Sequence, residues 1–228
     1  MNKSGKLATS LLLASTVIAA AGAGPARAAG VAADKSADSP DSVIVTEEWW
    51  YPLRMDSADA LAHARFLYRR NNEREAAEEV RRAASWLSFA ANHALSHTSQ
   101  ALLSARTDLL TLADDLDTGK VAGAARMDEA LSQASSALAQ WHYYRARDEL
   151  GKSDVRNAVG DLQAAASHLE NAAESAHLEY GPDTIHVFED IYRNGKYLSE
   201  GKTVDNNMLG KHLDTIEDAI ETMANALK

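Results

Sequence analysis

Two pairs of residues in this chain have the spacing of metal ligands on a helix. His93 and His97 stand four residues apart, so both imidazoles fall on one helical face and could bind the same metal ion. Glu174 and His177 form a Glu-x-x-His pair, the type of motif that di-metal carboxylate bundles use. A complete di-metal site needs a second such motif and two further glutamates, and the chain contains this motif once. A metal site built from these four residues is therefore one interpretation, and partly exposed histidines on amphipathic helices are the other.

Aromatic residues form the second candidate site. Trp49, Trp50 and Tyr51 precede the first predicted helix, and Trp141 lies within a later one. Tryptophan and tyrosine are common anchors for a protein partner or a small ligand. These four residues are our candidates for such binding, although packing in a core is the commoner role of large aromatic side chains.

Catalysis is not indicated by the sequence. No set of Ser, His and Asp has a local catalytic signature, and acidic pairs such as Glu78-Glu79 and Asp114-Asp115 have the pattern of solvated helix faces. We therefore predict a protein that is not an enzyme and that uses no cofactor.

Helices must position the candidate side chains from Asp56 onward, because apolar residues recur there at steps of three and four. We predict an all-α fold with five main helices, the fourth interrupted at Gly181-Pro182. The predicted ranges are about 56–71, 73–117, 124–150, 155–200 and 205–228. An antiparallel helical bundle is favoured because the long apolar seam of the second helix suits a straight partner, and an α-solenoid of helical hairpins is the alternative.

The chain also matches itself at an offset of 82 residues. Ala83-Ala84-Ser85 falls on Ala165-Ala166-Ser167, and Gly119-Lys120 falls on Gly201-Lys202 in the equivalent turn between helices. We interpret the match as a tandem duplication with repeat units at about 59–140 and 141–222.

The N-terminus has the three parts of a secretory signal peptide. Two lysines precede an apolar run at 7–23, and Ala26-Arg27-Ala28 is a small-x-small cleavage pattern. The run is short for a membrane span, so we expect cleavage after Ala28, no membrane insertion afterwards and a periplasmic mature protein. The predicted segments are a signal peptide at 1–28, a flexible tether at 29–42 and a helical domain at 43–228.

Composition restricts the partners. The chain has no cysteine, so its fold depends on the core without disulfides. It carries 33 acidic and 23 basic residues, a net charge of −10, which argues against nucleic acid and anionic membrane surfaces as partners. A protein or a small ligand remains as the expected partner, and self-association into a homo-oligomer through bundle faces is compatible with the pattern.

One stretch of about forty residues resembles a known family. The matching positions are Tyr51-Pro52-Leu53, Ala60-Leu61, Ala64, Leu67, Glu75-Ala76, Val80 and Ala83. This pattern resembles the YfdX family of small exported bacterial helical proteins, and the resemblance implies a stress-associated periplasmic protein without established catalytic residues. We therefore expect a non-enzymatic binding or scaffold protein that acts through bundle faces or the aromatic end, and the metal-binding bundle is the alternative.

Overall fold

The fold was derived from a computed structural model, which describes residues 54–120 and 123–228. The predicted signal peptide, the tether and the residues Trp49, Trp50 and Tyr51 lie outside this part of the chain. In the described ranges every regular element is an α-helix, so the predicted all-α helical bundle is confirmed. The helices are α1 (Asp56–Arg69), α2 (Glu73–His93), α3 (Ser96–Asp117), α4 (Ala124–Gly151), α5 (Val155–Ala176), α6 (Pro182–Ser199) and α7 (Asn206–Ala226).

The predicted second helix, 73–117, is in fact a hairpin of two helices. Ala94 and Leu95 have extended backbones that reverse the chain, and the antiparallel α2 and α3 then pack side by side. Arg81 on α2 accordingly lies 3.1 Å from the Asp114 carboxylate near the end of α3. The turn is held by the Ser99 hydroxyl, which donates to the carbonyl of Ala91 at 3.1 Å. Five predicted helices therefore become seven in the described ranges, since the predicted fourth helix is also divided, between Ala176 and Pro182.

The described helices form two apolar cores that meet on α4. The first core is built from α1, α2, α3 and the first half of α4, and ends at Trp141. The second core begins at Ala139 and continues through α5, α6 and α7. Alanine is the most frequent residue in both cores and permits close approach of the helices. Each core therefore belongs to a four-helix unit, and α4 runs through both units.

Helix boundaries recur at the offset of 82 residues. Arg69 and Gly151 end α1 and α4, Glu73 and Val155 begin α2 and α5, Asp117 and Ser199 end α3 and α6, and Ala124 and Asn206 begin α4 and α7. Left-handed residues recur in the same way, as Asn71 with Ser153 and Gly119 with Gly201. The two units thus share helix and turn positions, while their origin by tandem duplication stays a prediction.

Among the helices that the structure describes, none is both long enough and apolar enough to cross a membrane.

Candidate functional site

A network of buried polar side chains lies where α1, α4 and α5 meet, beside the border between the two cores. On α4, His142, Arg145 and Glu149 follow one another at steps of three and four, so they share a helical face. On α5, Asp161 and His168 are seven residues apart and share a face in the same way. Polar side chains of α4 and α5 therefore face each other where the two helices pack together.

Asp161 is the centre of this network and is fully buried. The Nδ1–H of His142 donates to its Oδ1 at 2.6 Å. Its Oδ2 lies 3.4 Å from Nη1 of Arg54 and 3.5 Å from Nε of Arg145. Because a buried carboxylate is costly unless it is paired, these three donors account for a charge in the interior.

Arg54 reaches the network from the residue pair that precedes α1. Its guanidinium also donates to the backbone carbonyl of Asn157 at 2.9 Å and to the side-chain oxygen of Asn157 at 3.1 Å. The side chain passes directly over Gly160, where a Cβ atom would overlap the guanidinium. Glycine at this position of α5 therefore makes room for the arginine.

The second imidazole, His168, connects the network to α1. Its Nε2 is hydrogen-bonded to the hydroxyl of Ser57 at 2.9 Å. Its ring stacks on His142 with centroids 5.6 Å apart and an angle of 19° between the planes. Ser57, His142 and His168 are all fully buried. Two stacked imidazoles thus stand between the α1 hydroxyl and the α5 carboxylate.

This geometry differs from a catalytic triad. In a triad one imidazole bridges the nucleophile and the carboxylate, whereas here Ser57 bonds to His168 and Asp161 bonds to His142. The arrangement can hold protons at defined nitrogen atoms and fix α1 against α5.

Burial and neighbouring charges set the protonation of the two histidines and of Asp161. Burial lowers the pKa of His142, and this outweighs the hydrogen bond and the charge of Asp161. Burial lowers the pKa of His168 well below its usual value, and the adjacent His142 lowers it further. Burial alone would raise the pKa of Asp161, but the hydrogen bond from His142 and the charges of His142, Arg54 and Arg145 lower it. At neutral pH the network therefore holds neutral imidazoles around an ionised Asp161.

Glu149 completes the network as a protonated partner of Asp161. Burial, together with the charge of Asp161 and a hydrogen bond to it, raises the pKa of Glu149 to about 8. Its Oε1 accepts from Arg145 at 3.0 Å. A neutral carboxyl can donate to the Asp161 carboxylate, whereas two adjacent carboxylates would repel each other.

The pH dependence of folding stability tests the state of Glu149. Its folded pKa of about 8 lies above the unfolded value of 4.5, so its contribution is complete below the unfolded value and is lost as pH rises through 8. Between pH 7 and pH 9 this loss amounts to about 1.4 kcal/mol. Glu149→Gln, which keeps a neutral donor, is expected to remove this part of the alkaline decline in chemical denaturation. Glu189→Gln, on the exposed side of α6, should leave the decline unchanged.

The residues of the predicted metal site are divided between two ends of α1. His93 is exposed at the end of α2, where its Nδ1 lies 2.8 Å from the carbonyl oxygen of Phe89. Glu174 pairs with Arg65 and Arg69 near the end of α1, whereas Arg82 and Trp86 of α2 reach Asp56 at its beginning. His93 lies beyond Trp86 on α2, so at least about 13 Å of helix separates it from Glu174.

His177 and His97 are the other two predicted metal ligands. His177 Nε2 lies 3.6 Å from the Asp128 carboxylate, near Glu174 on the same end of the bundle. The side chain of His97 lies outside the described residues. No group of three or more His, Cys, Asp or Glu side chains within the described ranges is arranged to hold a metal ion.

Trp141, the described member of the predicted aromatic site, lies in the interior. It is 2 % exposed and packs at 87° against Phe89 with ring centroids 6.3 Å apart. The guanidinium of Arg145 lies 5.4 Å from its ring centroid. Its surroundings are therefore those of a residue packed in the first core, as is usual for large aromatic side chains, and ligand binding through Trp141 stays a prediction.

A surface groove is the second candidate site. It has a volume of about 280 Å³ and lies between α3, α4 and α7. All of its lining residues are uncharged: Ala101, Ser104, Ala105, Gln133, Ser136, Ala137, Gln140, Ile220, Ala224 and Leu227. The α3 and α4 walls carry small side chains such as Ala101 and Ala137, and Ile220 and Leu227 line the α7 side.

Neither the network nor the groove was predicted from the sequence. One available signal was the spacing of Asp161 and His168, which directly precede the apolar residues Leu162 and Leu169 and so lie beside the apolar face of this helix. Their partners Arg54, just before α1, and Ser57, on α1, lie more than a hundred residues away in the chain.

No family model, no curated protein and no solved structure matches the chain. The resemblance to the YfdX family stays a prediction.

Proposed function

We propose that this protein is a non-enzymatic binding or scaffold protein that holds a polypeptide partner in the groove between α3, α4 and α7. The observation that carries the proposal is the uncharged lining of this groove on a chain with a net charge of −10. A helix laid into a groove between helices is a recurrent mode of peptide recognition. Small side chains on the walls, such as Ala101 and Ala137, would let the backbone of a partner helix approach closely.

The chemistry of the groove and its ends favours a partner with an apolar face and basic flanks. Gln133 and Gln140 on α4 supply amides that can hydrogen-bond to polar side chains of the partner. Asp108 on α3 and Glu129 on α4 lie one helical turn beyond groove residues and share Arg126 between them. Glu221 is exposed on α7, one turn before the groove residue Ala224. Lysine or arginine on the flanks of the partner would complement these carboxylates.

Export and a stress-associated role belong to the same proposal. They are supported by the signal-peptide pattern at 1–28 and by the resemblance of residues 51–83 to an exported family. The periplasm is accordingly the proposed compartment, where the partner would be a protein segment. Self-association through the same groove would replace this partner by a second copy of the chain.

Binding of a synthetic amphipathic peptide tests the groove directly. A fluorescent helical peptide with alanine and leucine on one face and lysine on the flanks is titrated with protein, and anisotropy is measured. Ala101→Arg places a charge on the exposed α3 wall and is expected to weaken binding about tenfold, which corresponds to about 1.4 kcal/mol.

Thr107→Arg is the matched control, because it adds the same charge to an exposed position of α3 outside the groove lining. It should change the dissociation constant less than about twofold, as is usual for a peripheral charge. A peptide of the same composition without an apolar face should bind more weakly. Absence of saturable binding, or an equal loss with both arginine variants, would reject the groove as the binding surface. A sedimentation measurement that shows a dimer disrupted by Ala101→Arg would instead assign the groove to self-association and overturn the partner proposed here.

A further inference from the structure

Hydrogen bonds are spread along the contact between α1 and α5, which we call the α1–α5 joint. Besides the Ser57–His168 hydrogen bond, the Asn171 amide donates to the carbonyl of Ala58 at 3.0 Å. Nearer the end of α1, Arg65 donates to the Ser175 hydroxyl at 3.2 Å. Because these bonds hold two helices from different four-helix units together, the joint depends on the hydrogen-bonding state of its polar groups.

Protonation of His168 would disfavour the packed α1–α5 joint. The Nε2 of His168 is hydrogen-bonded to Ser57, and its Nδ1 is buried with no hydrogen-bond partner among residues 54–120 and 123–228. Protonation places an N–H on both ring nitrogens, so the Nδ1–H would be a buried donor that no group in these ranges accepts. The cationic ring would also be fully buried against a second imidazole, which is costly in the interior.

We propose that the α1–α5 joint is an acid-sensitive latch, closed while His168 is neutral and opened when this imidazole takes up a proton. Opening separates Ser57 and Ala58 of α1 from α5 and lets water hydrate the imidazolium. The latch is independent of the groove between α3, α4 and α7, so either feature can exist without the other.

The charged and titratable groups that face the imidazole pair support this direction. From α4 they are His142, Arg145 and Glu149, and from α5 Asp161. Arg54 reaches the pair from the segment before α1, and α1 itself contributes the uncharged Ser57. The one ionised carboxylate, Asp161, is already shared by His142, Arg54 and Arg145. A proton on His168 therefore adds positive charge where the nearest negative charge is already neutralised.

The pH range in which the joint opens follows from the direction in which the pKa of His168 is shifted. The pKa of His168 in the closed joint lies below the usual value of 6.5, because the ring is buried and adjoins His142. The open state therefore binds more protons below about pH 6.5, and the opening equilibrium rises as pH falls from that point. For one histidine the rise is at most about tenfold for each pH unit.

The absence of cysteine from the chain permits a clean test by thiol labelling. Ala58→Cys places a thiol in the joint at a position that is 1 % exposed, and Asp59→Cys places one at the exposed neighbouring position. The labelling rate of the first variant, divided by that of the second at the same pH, reports opening without the intrinsic pH dependence of the thiol. Between pH 7 and pH 5 we expect this ratio to rise about tenfold or more.

Further variants distinguish the latch from general acid unfolding. His168→Gln keeps a hydrogen-bonding group for Ser57 but cannot take up a proton, so the rise in the ratio should shrink to less than about threefold. His186→Gln removes an exposed histidine of α6 and should leave the rise intact. Ala60→Cys reports on the first core and should stay unreactive at pH 5.

An unchanged ratio for Ala58→Cys between pH 7 and pH 5 would overturn the proposal. So would an equal rise in the His168→Gln background, or an equal gain in labelling at Ala60→Cys. If His168→Gln fails to fold, the comparison of Ala58→Cys with Ala60→Cys in the otherwise unchanged chain still decides the question.

Discussion

Asp161→Asn is expected to lower the free energy of unfolding by about 3–5 kcal/mol at pH 7, because it removes the charge from one side of a buried ionic network. The fully buried carboxylate is paired with His142, Arg54 and Arg145 at 2.6 to 3.5 Å. An asparagine leaves two guanidinium groups beside a neutral amide in the interior. Urea denaturation followed by circular dichroism measures the loss.

Asp148→Asn is the matched control for this substitution. It removes a carboxylate of α4 that is 65 % exposed and pairs with Lys152, so its cost should stay below about 1 kcal/mol. The pH dependence of folding stability is a second readout, and it is specific to the network. Without the charge of Asp161 the pKa of Glu149 falls, so the stability lost between pH 7 and pH 9 should shrink in Asp161→Asn. A cost below about 1 kcal/mol, or an unchanged alkaline decline, would contradict the assignment of Asp161 as the central charge.

Trp141→Ala is expected to cost about 3–5 kcal/mol of folding stability, because it leaves a cavity in the first core. The ring is 2 % exposed and contacts Phe89, His142 and Arg145. The measurement is again chemical denaturation, with the dependence of free energy on urea compared between variants.

Phe66→Ala is the control for an exposed aromatic residue. Phe66 is 52 % exposed on α1, beside His63 and Arg70, so its truncation should cost less than about 1 kcal/mol. If Trp141→Ala were equally mild and instead abolished binding of the amphipathic peptide, Trp141 would be a ligand anchor rather than a core residue.

Local signals in the sequence were sufficient for most helix ends. Asp205 has the residue type of a helix cap, and its side chain accepts from the backbone N–H of Asn207 at 2.9 Å. Gly119 follows α3 and has a φ of 65°, which glycine adopts without a steric cost. Caps and left-handed residues are fixed by neighbours along the chain, so the sequence reveals them directly.

The hairpin of α2 and α3 was missed for a physical reason. Ala90, Ala94 and Thr98 follow one another at steps of four, so the apolar period passes through the turn without interruption. The chain reverses because serine and threonine side chains bond to backbone carbonyls at the break. Thr98 donates to the carbonyl of Leu95 at 2.9 Å, and Ser99 to that of Ala91. The apolar period indicates which residues are buried, but it does not reveal side-chain hydrogen bonds that compete with the helix.

The polar network was missed because it depends on partners that are distant in the chain and because its histidines do not recur at the offset of 82 residues. At the offset of 82, Arg145 and Asp161 fall on His63 and Glu79, which also form a contact, at 3.2 Å. His142, in contrast, falls on Ala60. A contact between a basic and an acidic residue is thus common to both units, whereas the stacked imidazoles occur only in the second. The repeated positions describe the scaffold, and the candidate switch lies in a departure from the repeat.

Nuclear magnetic resonance of the ring nitrogens directly measures the protonation of His142 and His168, on which the proposed latch depends. With ¹⁵N-labelled histidine in the folded protein, His142 should show the Nδ1–H tautomer, because that nitrogen donates to Asp161. Both imidazoles should remain neutral at pH 6.5, the usual histidine value, and take up protons only below it. An imidazole of His142 or His168 that is half protonated at or above pH 6.5 in the closed joint would contradict the account.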